Sequence, residues 1–169
     1  MIKATIQGLP DIREALLSIP EKLRKRALRN ALAAGARVVQ KEARRKAPTL
    51  DMGNAFSLSM YRRGYRKPGT LVRAISVRTS RMAARRGNVG VFVNVRPVKG
   101  TRRGALSAHD PYYWRWVNFG WRPAGGRIRK AGAGFLQAGA AMLGAALTTF
   151  KAAIGPQIAK LNKPKAPAP

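Results

Sequence analysis

The clearest periodicity along the chain lies between Pro20 and Lys46. Leu28, Ala31, Leu32, Gly35, Val38 and Val39 recur at helical spacing, and Lys22, Arg26, Arg29, Arg37, Lys41 and Arg44 take the opposite face. This pattern predicts one long amphipathic helix that opens with Pro20 in its first turn. Arg44, Arg45 and Lys46 stand at its C-terminal end, where cations complement the helix dipole. Ala47-Pro48 ends it, because the residue before proline is driven out of the helical region. Upstream, Ile2, Ala4 and Ile6 alternate with polar residues over Ile2 to Gln7, which reads as a short strand closed by Gly8 and Pro10. Asp11 then caps a short helix running to Ser18.

Downstream the period changes to two. Leu71, Arg73, Ile75, Val77 and Thr79 share one side of a strand, with Val72, Ala74, Ser76 and Arg78 on the other. A second strand runs from Val89 to Val95, with Val89, Val91, Val93 and Val95 facing one way. Thr49 to Gly69, Arg81 to Asn88 and Pro97 to Ala108 read as polar, basic loops. Asp110 caps a short aromatic helix from Pro111 to Phe119, stopped by Gly120. Trp121 to Lys130 is a Gly/Arg loop. Gly132 to Leu161 reads as a long Ala/Gly-rich helix, weakened at Gly155-Pro156, with Phe135, Leu136, Met142, Leu143, Leu147, Phe150 and Ile154 on one face. The elements predict an α+β fold: a small, mostly antiparallel sheet packed by two long helices, with long basic loops. Residues 1–161 make one domain, and 162–169 make a disordered Pro/Lys-rich tail.

Charge changes this picture most. In 169 residues there are 34 Lys plus Arg against 6 Asp plus Glu, a formal net charge of +28. Such a chain repels itself and needs an anionic partner, counterions or acidic neighbours. The acids gather early, at Asp11, Glu14, Glu21 and Glu42, so that only Asp51 and Asp110 follow them. Apolar residues make up 46% of the chain, enough for a true core. No cysteine is present, which removes disulfides, thiolate metal sites and cysteine nucleophiles and fits a reducing compartment. Met1 to Pro10 lacks the order of a signal peptide. Ala131 to Phe150 carries no charge, but its Ala, Gly and Thr content argues against a membrane span.

Catalytic chemistry is sparse. His109 is the single histidine, and its neighbour Asp110 is read as a cap. Phosphate-loop and nucleophile-elbow motifs do not occur, and Asp51 with Asp110 is a thin supply of carboxylates for metal ions. The expectation is a non-enzyme without cofactor or metal. Finger spacings and aromatic RNA-binding strands are missing as well, and the scattered cations suit nonspecific phosphate contact better than base reading.

The order of the segments carries a resemblance. A basic helix ends at Ala47-Pro48; Pro68-Gly-Thr-Leu-Val-Arg-Ala-Ile75 follows; then come two strands. Tyr113-Trp-Arg-Trp-Val-Asn-Phe-Gly120 and the helix start Gly134-Phe-Leu-Gln-Ala-Gly139 complete the series. From about Ile2 to about Phe150 this resembles the tail-completion, head–tail joining family of tailed bacteriophages, named for the tenth gene product of a lambdoid siphophage. Asn118 stands where that family usually has Glu, Trp121 where it has Thr, and no proline precedes Phe135. Thr49 to Lys67 looks like an insertion. The resemblance implies a structural protein of the virion neck or tail end, made in the host bacterial cytoplasm. It further implies a homo-oligomeric ring, a hexamer matching tail symmetry, among neighbouring neck and tail proteins around a DNA channel.

Two sets of residues are candidates for contact. Tyr113, Trp114, Trp116, Asn118, Phe119 and Trp121 are candidates for the subunit interface, because Trp and Tyr are common anchors there. Arg62, Arg63, Arg66, Lys67, Arg81, Arg85, Arg86, Lys99, Arg102 and Arg103 are candidates for contact with DNA or an acidic partner. The bland alternatives are a core role for the aromatics and a solvated role for the cations. A nonspecific nucleic-acid-binding basic protein is the main rival to the phage reading; a membrane-active basic protein using the Gly132 to Leu161 helix is the second.

Overall fold

Helix α1, Glu21–Lys46, carries most of the packing between elements. The computed structural model describes residues 12–13, 16–17, 20–100, 104–105, 107–121 and 130–161. After α1 come α2 (Ala55–Arg62), α3 (Thr70–Ala74), β1 (Ile75–Thr79), α4 (Arg81–Arg85) and β2 (Val91–Val95). Then follow α5 (Trp114–Phe119), β3 (Gly120–Trp121), β4 (Lys130–Ala131), α6 (Phe135–Ala140) and α7 (Leu143–Leu161). β1 and β2 form an antiparallel ladder in the register Ile75↔Val95 to Thr79↔Val91, and β3 and β4 form a second small pair. The fold is α+β: the two-stranded antiparallel sheet packs against the long helix α1, and α6 and α7 pack along the same helix.

The buried face of α1 is built from small residues. Ala27, Ala31, Gly35 and Ala43 recur at spacings of four and eight, which keeps them on one stripe. The larger Leu28, Leu32, Val38 and Val39 flank that stripe, only partly buried. Small side chains let backbones approach closely. A Cβ on Gly35 would lie 2.6 Å from the Ala146 carbonyl oxygen of α7, and one on Gly139 of α6 would lie 2.9 Å from the Val39 carbonyl oxygen. α6 and α7 therefore run antiparallel to α1, their successive close contacts descending from Val39 to Gly35. Farther down, Ile154 packs with Ala27, Ala31 and Leu16 in one hydrophobic cluster. A second cluster joins Ala43 and Ala47 to Leu71, Ile75, Val95 and Phe135. The sheet is pinned to α1 by polar bonds too: Gln40 Nε2 (2.8 Å), Arg44 Nε (3.1 Å) and Arg44 Nη2 (2.8 Å) all donate to the Ile75 carbonyl.

Several expectations are corrected. Pro20 is the residue before the helix, in extended conformation, and not part of its first turn. Arg44 turns from the cationic face to bond β1. The segment read as a loop from Thr49 to Gly69 contains α2, capped by Asn54, whose Oδ1 accepts from Phe56 and Ser57 N–H. Residues 71–74 are helical rather than extended: Leu71 and Ile75 are four apart, and both enter the core at helical spacing. The second strand starts at Val91, not Val89. The connection from Arg81 holds α4, capped by Ser80. Asp110 does not cap α5; Tyr113 occupies that place, and the buried Asp110 carboxylate accepts from Gly104 and Val98 N–H. The last long helix breaks at Ala141–Met142 into α6 and α7, runs on through Pro156, and leaves Leu143 63% exposed. Ile12–Arg13 and Leu16–Leu17 are helical. The strand read at Ile2 to Gln7, most of the Trp121 to Lys130 loop and the tail 162–169 lie outside the described residues.

Gly35→Val should lower stability by about 1–3 kcal/mol, because the added atoms meet the α7 backbone rather than a side chain that can swing away. Gly144→Ala, whose Cβ meets open space, should be neutral or stabilising by up to about 1 kcal/mol. Thermal denaturation of both variants checks the pair.

Candidate docking groove

The short helix α2 buries none of its residues. It is tethered above the end of α1 by the Pro48–Asp51 segment, and one side of it (Asn54, Phe56, Ser57, Met60) faces a groove of about 1080 Å³. The opposite wall is α5, which contributes Tyr113, Trp116 and Val117 at spacings of three and four; Trp121, Ala131 and Ala133 extend it. Leu71 of α3, 3% exposed, also lines the groove. The lining is mostly apolar, yet Phe56 is 70% exposed and Trp116 52%. Contiguous apolar surface of this kind, rimmed by charge, marks interaction sites.

One cation is built into the wall. Arg66 lies over the Tyr113 ring, 4.6 Å from its centroid, and its Nη2 donates to Tyr112 Oη at 3.1 Å. Tyr112 stands edge-on to both Tyr113 and Trp116. Arg66 Nε is buried and has no hydrogen-bond partner. A desolvated guanidinium nitrogen without an acceptor is costly, so an incoming carboxylate or carbonyl would be favoured there. Burial pushes the Tyr113 phenol above its usual range; the adjacent Arg66 charge works in the other direction, and Tyr112 adds to the rise.

The six aromatic-motif candidates separate. Tyr113, Trp116 and Trp121 line the groove. Trp114 packs partly buried against the main core, with Phe119 tilted over it at 6.5 Å and itself 62% exposed. Asn118 is only 2% exposed, so its side chain works inside the protomer and not at an interface. Its Oδ1 accepts from Leu136 N–H at 3.0 Å, and its carbonyl accepts from Gly134 N–H. Gly132 is pressed against the same turn, where any Cβ would overlap the Asn118 carbonyl. Asn118 thus joins the end of α5 to the start of α6, although its Nδ2 is left buried without a partner. Gly120 takes φ +91°, a conformation that suits glycine.

The cationic candidates do not form one surface element. Arg66 lines the groove, beside exposed Arg62 at the end of α2 and exposed Arg63 and Lys67 in the α2–α3 connection. Arg81, Arg85 and Arg86 are exposed on and just after α4, in the β1–β2 connection. Lys99 belongs to a different cleft. Arg102 and Arg103 lie outside the described residues. Sequence reasoning missed Phe56, Met60 and Leu71 as groove residues, and Tyr112 as the residue that braces Arg66, Tyr113 and Trp116. The available signal was Asn54 as a helix cap with Phe56 and Met60 four apart behind it.

Among the described residues no group of three metal-ligating side chains gathers, and no helix is long and apolar enough to cross a membrane. A largely apolar groove with aromatic walls and an arginine at its edge is the kind of surface that protein interfaces use. The family described as "Bacteriophage HK97-gp10, putative tail-component" matches residues 11–120, and the chain belongs to that family. It is accordingly a bacteriophage tail component, and its place is the virion. No curated protein and no solved structure matches it.

Two outcomes test this local architecture. Asn118→Ala removes the acceptor of Leu136 N–H, and should cost about 1–3 kcal/mol in denaturant unfolding. Burial favours the neutral Tyr113 phenol, so its contribution to stability is present below the usual phenol range and is lost as pH rises through the folded-state value. In an alkaline absorbance titration, the ionisation seen above the usual range should vanish in Tyr113→Phe.

Proposed function

We propose that this chain completes the phage tail or joins it to the head, standing as a homohexameric ring at the neck around the DNA channel. It acts by contact alone, with no catalysis and no cofactor. Its partners are further copies of itself and neighbouring neck and tail proteins. The observation that carries the reading is the groove, in a member of a phage tail family: exposed Phe56 and Trp116 beside a built-in arginine. A repeated head-to-tail contact closes naturally into a ring, and an apolar groove on one copy receiving a projecting side chain of the next is such a contact. The formal charge of +28 opposes association of like copies, so a ring of them needs DNA or acidic neighbours nearby. The same charge favours a second reading, in which the chain serves as a nonspecific nucleic-acid-binding protein.

The test is complementation of a phage that lacks this protein. A Phe56→Ser/Trp116→Ser chain should still fold: Phe56→Ser should cost about 0.5 kcal/mol or less, and Trp116→Ser, half-buried and edge-on to Tyr112, about 1–2 kcal/mol. It should nevertheless yield separate heads and tails instead of joined particles. Normal yields of infectious particles from that chain would overturn the docking role. Normal joining by that chain, together with salt-sensitive binding of the wild-type chain to DNA of any sequence, would favour the second reading.

A further inference from the structure

A second cleft lies on the other side of α3. Leu71 faces the docking groove, whereas Thr70, Arg73 and Ala74 line a cleft of about 460 Å³. Ser76 of β1, Arg96 and Lys99 after β2, and His109 complete its charged and polar lining. No carboxylate lines it. Asp110, next to His109, is turned inward to the Val98 and Gly104 N–H groups. The ion pairs among the described residues, Glu21 with Lys25 and Glu42 with Arg45, lie on α1. Arg73, Arg96 and Lys99 therefore face the cleft with no counter-charge among the described residues. Arg73 is held in place by donating from Nη2 to the Pro68 carbonyl at 3.0 Å.

The independent observation is Ser76. Its Oγ is buried and makes no hydrogen bond, which is uncommon for a hydroxyl out of contact with water. Ser76 lines the cleft, and a ligand oxygen that displaces the side chains covering Oγ would give it a partner. We infer that this cleft binds a phosphate group, and that the phosphate is one of the backbone of double-stranded DNA. A planar carboxylate is well served by one bidentate guanidinium. Here donors converge instead from a helix, a strand, the segment after β2 and the turn before α5, an arrangement suited to a tetrahedral anion. The DNA assignment rests on the ring reading, in which each copy presents one such cleft to the channel; phosphate binding itself does not.

The isotopically labelled full chain is titrated with inorganic phosphate at fixed ionic strength, and amide shifts are followed by NMR. Saturable shifts are expected at Ser76, Val98 and His109. Ser76→Ala should weaken binding about five-fold, the worth of one hydrogen bond, and Ser76→Thr should restore it. Arg96→Gln should weaken it about ten-fold or more, as loss of a charge-assisted bond. Arg13→Gln, which removes the same charge from an exposed site elsewhere, should leave it unchanged. Shifts that never saturate, or a Ser76→Ala chain that binds as wild type does, would overturn the phosphate site. A short DNA duplex should then displace phosphate from the same amides, and Arg96→Gln should reduce the salt dependence of duplex binding by a slope of about one. If phosphate binds but only polyglutamate, and not the duplex, displaces it, the DNA assignment is overturned. The ring reading fails separately, in particles rather than in this titration.

Discussion

Close approach of α6 and α7 to α1 is the constraint on which the rest of the structure depends. It needs Gly35 and Gly139, because any side chain there would meet the carbonyl oxygens of Ala146 and Val39. With so little volume in the seam, the stability of the helical layer comes from backbone proximity and from the larger side chains at its ends, Ile154 in one cluster and Phe135 in the other. The second cluster fixes the groove. Phe135 is seated against Ala43, Ile75 and Val95. Asn118 ties the start of α6, one residue later, to α5. The aromatic wall of the groove is thus held from behind by the same packing that closes the core.

Elements with strong periodicity were legible in the sequence. The α1 pattern runs through seven helical turns, and the valines of β2 alternate without interruption, so α1, the hairpin and the α+β class could all be read. Short elements were not. α2 and α4 each rest on one capping side chain, Asn54 or Ser80, inside stretches rich in Arg and Gly that read as loops. Leu71 and Ile75 fit a strand alternation and a helical spacing of four equally well. Contact of α3 with the core, and the Thr70 hydroxyl bonded to the Lys67 and Ala108 carbonyls, decide for the helix. Of the expected α1 face, Ala31 and Gly35 are buried, whereas its centre runs through Ala27 and Ala43 rather than Leu28 and Val39, because a scale that rewards Leu and Val does not see that alanine and glycine are what permits contact.

The site was half legible. Aromatic residues of the Tyr113 to Trp121 motif were marked as contact candidates, and three of them line the groove. Its other wall comes from α2, in the segment that looks like an insertion. Asn118 could not be placed from sequence: where the family usually carries Glu, this chain carries an amide that bonds its own backbone. Cations marked as one class divide in space between the groove, the α4 connection and the cleft of Arg73, Arg96 and Lys99. That division matters physically, since a guanidinium stacked on Tyr113 and a lysine at a cleft rim attract different partners.

The central claim is that the groove between α2 and α5 is filled by a neighbouring protein in the assembled particle. A cryo-EM reconstruction of the intact virion, resolved to side chains at the neck, tests it most directly. The account predicts six copies of this chain around the DNA channel, each with an apolar side chain of an adjacent subunit between Phe56 and Trp116 and an acceptor at Arg66 Nε. Density placing this chain at the neck with that groove open to solvent would contradict it.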